Sequence, residues 1–333
     1  MKKGFQLIPG ILFLFVIGLI SKYIGSFIPY ISYLIIAIAL GIISANLFKL
    51  PKIIENGIVE THKLWLKTGI VILGARVILK DLIEVGPTLL LMIIAFILIS
   101  LIVVEFLASK FGLEKKLGSC LASGTSVCGV SAVIATGGAI QAKKNHIAYG
   151  IATVLIFDVI TVFSYPIIGQ LFSIPAEVFG PWAGISMFST GTTVAAGFAH
   201  SAEAGQIATM AKMGRNVFIG IWALIYSLYY VKKGLNDTMV ENKISYLWDN
   251  FPKIIIGFIA MLAIANSGLL DESQISSMKN AYNWLFMMAF VGLGYTIDFK
   301  KLNKTGAKPF FTVLISFVII SIVCFISSYL LFA

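Results

Sequence analysis

The chain has 333 residues, of which 59% are hydrophobic and 12% charged, with a formal net charge of +10. A charged share about half that of a soluble globular protein, with apolar runs of about 20 residues recurring throughout, excludes a water-soluble fold and makes the bilayer the relevant solvent. The positive charges lie between the apolar segments, as in the positive-inside pattern of membrane loops, so the basic balance does not point to a nucleic-acid surface.

The expected fold is an all-α polytopic membrane protein in one transporter domain, residues 1–333. About eleven spans are predicted, at 5–27, 30–48, 64–79, 87–109, 118–142, 147–171, 179–198, 206–231, 252–269, 282–298 and 309–332. The stretch 5–27 is too long for a signal peptide and lacks a small-residue cleavage pattern, so it reads as the first span. Alternating sides from a cytoplasmic amino terminus puts most lysines inside, among them Lys2, Lys3, Lys63, Lys67, Lys115, Lys116, Lys253, Lys300, Lys301 and Lys304. Lys80, Lys143, Lys144 and Lys279 are external exceptions, and the carboxyl terminus falls outside. Cys120, Cys128 and Cys324 have no metal or disulfide spacing and read as small packing residues.

The stretch Leu73 to Leu82 returns as Leu293 to Leu302, and Asn46 and Gly86 return as Asn266 and Gly306 at the same offset. The third and tenth spans run in opposite directions, so the repeat has inverted topology, a plan common among secondary transporters. The repeat regions are placed at 30–171 and 179–332.

Two polar, glycine-containing patches interrupt apolar spans. The fifth span holds Ser123, Gly124, Thr125, Ser126, Cys128 and Ser131; the seventh holds Ser186, Ser189, Thr190, Thr192 and Thr193. Such patches break helices, and half-helix amino termini with hydroxyl groups suit an anion or a carbonyl-bearing ligand. The competing reading is close helix packing by small residues. In this orientation the two spans are parallel, which a simple inverted pair would not be, so either a span is miscounted or a patch is re-entrant.

Lys212 and Arg215, three apart, suit countercharge for an anion, or an interfacial pair reaching for headgroups. Asp158, in the most apolar setting of any carboxylate here, suits a coupling proton or sodium ion, or a partner for buried Arg76 or Arg215. Glu105 could act similarly, although its place near a span end favours solvation. His62, His146 and His200 stand far apart at predicted span ends, and no enzyme constellation, metal site or cofactor motif is present in the sequence.

The runs Gly124 to Ala132, Ala148 to Val154 and Tyr165-Pro166 resemble the YeiH-like family of bacterial inner-membrane proteins assigned to sulfate export. Trp182-Ala183-Gly184, Val194 to Gly197, Ala202 to Gly205, and Lys212 with Arg215 extend the likeness over nearly the whole chain. The resemblance implies the bile acid, arsenite and riboflavin transporter superfamily, with inverted five-helix repeats, panel and core domains and broken crossing helices. It also implies the bacterial cytoplasmic (inner) membrane. Where such proteins commonly carry a His-Asp pair, this chain has Phe188 and Ser189. The expected function is a secondary transporter of a small anion such as sulfate, sulfite or a sulfonate, with a channel or a sodium-coupled organic-anion symporter as alternatives. Expected partners are the anionic solute, membrane lipid, a coupling proton or sodium ion and a second copy in a homodimer; no nucleic acid and no cofactor are implied.

Overall fold

The structure is a computed structural model that describes residues 2–28, 32–77, 79–235, 242–298 and 306–333. Lys300, Lys301 and Lys304, and the repeat residues Phe299 to Leu302, lie outside the described residues, as do the side chains of Lys2, Lys3 and Lys80. Every regular element among the described residues is helical. In hydrocarbon this is the expected outcome, because a helix satisfies its own backbone polar groups. The elements are α1 (Lys2–Gly25), α2 (Tyr33–Leu47), α3 (Lys52–Leu73), α4 (Leu79–Lys110), α5 (Lys115–Ser123), α6 (Val130–Ala139), α7 (Lys144–Leu171) and α8 (Ala176–Ser186). They continue with α9 (Thr190–His200), α10 (Ala202–Asn216), α11 (Ile219–Lys232), α12 (Lys243–Asn250), α13 (Ile254–Asn266), α14 (Glu272–Tyr295) and α15 (Ala307–Phe332).

Among the described residues four stretches are long and apolar enough to cross a bilayer singly: Leu7–Gly25, Gly86–Lys110, Lys144–Leu171 and Ala307–Phe332. The pair α12 and α13, bent by 64°, makes a fifth if taken as one span. The predicted segments are helical, with shifted ends. Helix α3 starts at Lys52 and α14 at Glu272, well before the apolar windows at 64 and 282. The opening turns are polar, so an apolar window begins late. Sequence chemistry still starts α14, since the Asp271 side chain and Gln274 form a capping box.

The two polar segments correct the expectation of crossing broken helices. Each folds back on itself. After α5 the chain takes a wider turn at Gly124–Cys128 and reverses at Gly129, whose φ of 68° is one that L side chains rarely adopt. Helix α6 then runs back beside α5: Ser123 Oγ and Thr136 Oγ1 are 2.6 Å apart, and Lys143, beyond α6, donates to Glu114, before α5, at 3.0 Å. Helices α8 and α9 form a second hairpin through extended Met187 and Ser189. His200 at its far end stacks on Phe179 near its start, with ring centroids 4.1 Å apart, and its Nε2 lies 2.9 Å from the Ile174 carbonyl. Between them α7 leads from the base of the first hairpin to the base of the second. The hairpins therefore enter from opposite ends of α7, which removes the parallel-span conflict.

Small residues let α10 lie against both arms of the second hairpin. A Cβ on Gly184 would stand 2.5 Å from the Ala211 Cβ, and one on Gly197 would stand 2.9 Å from the Gly205 Cα. One apolar cluster joins α1, α2, α3, α13 and α14 through Leu14, Ile38, Ile58, Phe258 and Phe290. Another joins α4, the hairpins, α7 and α15 through Val104, Leu121, Phe157, Phe179 and Cys324.

The repeat is visible as reciprocal bonding. Asn46 Nδ2 donates to the carbonyls of Ile42 and Ile297, each at 2.9 Å. Asn266 Nδ2 donates to Leu262 and Val77, also each at 2.9 Å. Each asparagine thus donates along its own helix and across to the other copy. In the same way Gly294 packs on the Ile38 carbonyl while Gly74 packs on that of Phe258. The units so related are α2–α3 and α13–α14.

Candidate functional site

The hairpin tips meet. Gly129 of the first lies against Ser189 Oγ and the Phe188 backbone of the second, leaving no room for a Cβ. Helix ends so placed would leave carbonyls without partners in the protein interior. Two cations from α10 supply them. Lys212 Nζ donates to Val127 O at 3.2 Å and Met187 O at 2.7 Å. Arg215 donates through Nε to Ser126 O at 3.1 Å, through Nη2 to Thr125 O at 2.9 Å, and through Nη1 to Met187 O at 2.9 Å and to Ile185 O. The cations thus sit at the negative carboxyl-terminal ends of both first arms, where the helix dipole favours them. Lys212 is 0% exposed and Arg215 2% exposed, which excludes the interfacial reading of the pair.

Asp158 on α7 serves the opposite pole. Its carboxylate accepts from the Ser189 N–H at 3.1 Å, from Thr192 Oγ1 at 3.0 Å and from Ser189 Oγ. It is a helix cap brought in from another element, and it places the chain's own negative charge at the amino terminus of α9. The α6 amino terminus differs. Its first turn opens at Ser131, which is exposed.

Beside that turn lies a cavity of about 760 Å³, lined by Cys128 and Ser131 of the first hairpin, Thr190 of the second, Asn216 at the end of α10, and Lys63, Lys67 and Lys253. Asp249, Asn250, Phe251 and Pro252 form part of its rim. Three lysines against one aspartate make the lining positive. Asn216 Nδ2 donates to Thr190 Oγ1 at 3.0 Å, while Asn216 Oδ1, buried, has no partner among the described residues.

Of the residues singled out in the sequence, only Cys128, Ser131 and Thr190 line this cavity. The others are turned into the protein. Ser123 bonds Thr136, Thr125 Oγ1 donates to Leu121 O at 3.0 Å, Ser186 bonds Tyr165 at 2.8 Å, and Thr193 Oγ1 donates to Ser189 O at 2.8 Å. Gly124 packs on Val133 and Val154, and Ser126 Oγ is buried without a partner among the described residues. Ser189 and Thr192 hold Asp158. Arg76 stands at the end of a short 3-10 turn and does not line the cavity. Lys63 and Lys67 of α3, Asn216 of α10 and Lys253 between α12 and α13 also line the cavity, and none of them stands out in the sequence as a site residue. The available signal was Lys63 and Lys67 one turn apart, which places both on one face of α3.

Comparison with known proteins places the chain in a family. The family described as conserved hypothetical protein 698 matches residues 9–313. A UPF0324 membrane protein of Nitratidesulfovibrio vulgaris is 32% identical over 91% of this chain and 87% of its own length. Another from Clostridium tetani is 31% identical over 90% of each chain, and one from Bacillus cereus is 29% identical over 99% of this chain and 96% of its own. No solved structure matches the chain. With the profile spanning most of its length and relatives aligned almost end to end, the chain belongs to the conserved hypothetical protein 698 family, the UPF0324 membrane proteins, which is the family its YeiH-like motifs point to.

Proposed function

We propose that this membrane protein is a secondary transporter of a small anion, working by alternating access across the bacterial cytoplasmic membrane. The observation that carries the reading is the lysine-lined cavity at the meeting point of two hairpins that enter from opposite ends of α7. A fixed site reached from either side is what alternating access requires, and inverted repeats supply two related gates. The solute would lie against Ser131, Thr190, Asn216 and the first turn of α6, with Lys63, Lys67 and Lys253 as countercharge. Lys212 and Arg215 hold the hairpin tips behind it.

In membrane terms the proposal is nine crossings and two re-entrant hairpins. The crossings are α1, α2, α3, α4, α7, α10 with α11, α13, α14 and α15. An odd number keeps the amino terminus inside and the carboxyl terminus outside. Lys143 and Lys144 then return to the cytoplasmic side, which strengthens the positive-inside bias. Helices α1 to α3, α13 and α14 form the panel, and the rest except α12 form the core.

The test has two steps. Purified protein is screened for thermal stabilisation by sulfate, sulfite, a sulfonate and a carboxylate, with and without sodium, since a ligand of the folded state raises its stability. Saturable counterflow of the stabilising anion in proteoliposomes is expected. Passive flux without counterflow would assign a channel instead.

A further inference from the structure

Glu105 on α4 stands apart from the cavity, and among the described residues no cation is bonded to its carboxyl group. Ser119 Oγ, on the first arm of the first hairpin, donates to its Oε1 at 2.6 Å. Tyr226 Oη, on α11, donates to the same oxygen at 2.9 Å. Ser119 has spent its one proton on Glu105, so its 3.1 Å contact with Tyr230 Oη makes the tyrosine the donor. The facing titratable groups are therefore Tyr226 and Tyr230 on α11 and Cys120 on α5, which has no bond to the carboxyl group. Of the basic groups on these elements, Lys116 lies over the Tyr230 ring and Lys110 over the Phe106 ring, each 5.8 Å from the centroid. Glu105 Oε2 accepts from no group among the described residues and lies next to Gly118.

Hydroxyl partners satisfy a carboxyl group in either protonation state. Ionised, Glu105 keeps both bonds on Oε1; protonated, it can keep them and carry the proton on the unused Oε2. Glu105 is half-buried and its Oε2 is not sealed from solvent, so partial desolvation without a bonded cation among the described residues favours uptake of a proton and leaves that oxygen open to receive it. The fold does not demand the charge. The offset that relates Asn46 to Asn266 relates Glu105 to Phe325, which meets the first arm of the other hairpin by packing on Trp182, ring centroids 5.2 Å apart. One hairpin is thus docked by a titratable network and its counterpart by aromatic contact.

We infer that Glu105, with Ser119, Tyr226 and Tyr230, is a proton-binding site that controls how the first hairpin docks on α4 and α11. Its place as the coupling step of a transport cycle rests on the function proposed above; proton binding and hairpin control do not. Infrared difference spectra of the purified protein across pH are expected to contain, within the carboxylic C=O absorption of all its acidic residues, one component that is missing from Glu105→Gln and present in Asp158→Asn. Hydrogen exchange of residues 115–139, corrected for its intrinsic pH dependence, is expected to change across the same midpoint and to be flat in Glu105→Gln. Carboxylic C=O titration identical in wild type and Glu105→Gln, or wild-type exchange indifferent to the titration, would overturn the assignment. Should Glu105→Gln not fold, Tyr226→Phe, which removes one donor to the carboxyl group, must move the midpoint; an unmoved midpoint also overturns it. None of these readouts uses a transported solute, so a failed counterflow assay leaves them intact.

Discussion

Arg215 shows how a residue chosen for one chemistry can be claimed by another. An arginine beside broken helices invites an anion, yet four of its N–H directions end on carbonyls of the two hairpins. Replacing it by glutamine strands most of those carbonyls in the interior, at about 1–3 kcal/mol for each group left unsatisfied. Thermal unfolding in detergent is therefore expected to show a loss of about 3 kcal/mol or more for Arg215→Gln. Lys63→Gln, at the exposed cavity wall, is expected to leave unfolding nearly unchanged and to weaken anion-induced stabilisation. Equal unfolding temperatures for wild type and Arg215→Gln would remove the clamp role. The chemistry of each polar residue was legible in the sequence; its direction was not, because a hydroxyl or guanidinium faces whichever backbone ends the tertiary fold leaves open.

At the scale of the element, the glycine-rich patch was readable as an interruption because glycine is a poor helix former and several hydroxyl side chains gather beside it in an apolar segment. What it interrupts into was not. A kinked crossing helix and a hairpin share composition, and the choice lies in one dihedral angle, at Gly129, together with the Ser123 to Thr136 contact that closes the arms. Gly129→Ala meets two penalties at once, a left-handed backbone with a side chain and a collision with Ser189 Oγ. It is expected to cost roughly 2 kcal/mol or more and to abolish counterflow, whereas Gly138→Ala, with open space around it, is expected to do neither. A Gly129→Ala protein with wild-type stability and counterflow would mean that the tips need not touch.

For the whole molecule, the decisive quantity is which side each loop occupies. Hydropathy found the helical segments, and charge counting predicts a polarity for the two ends, yet neither distinguishes two crossings from two re-entrant hairpins, since both leave the termini on opposite sides. Lys143 separates them. With a hairpin, cysteines at Lys116 and Lys143 share the cytoplasmic face, and one at Glu203 lies opposite. In intact cells a membrane-impermeant maleimide is expected to label Glu203→Cys and to spare Lys116→Cys and Lys143→Cys; the three native cysteines are buried. Labelling of Lys143→Cys from outside would restore the crossing helix.

The paired asparagines carry a consequence for how such a protein is assembled. Asn46 ties off a carbonyl that belongs to residue 297, and Asn266 ties off one that belongs to residue 77. Neither copy finishes its own backbone; each is completed by a side chain made some two hundred residues away. The early copy therefore keeps an unpartnered carbonyl until the last third of the chain has been synthesised, so the two copies are expected to be more stable together than either alone.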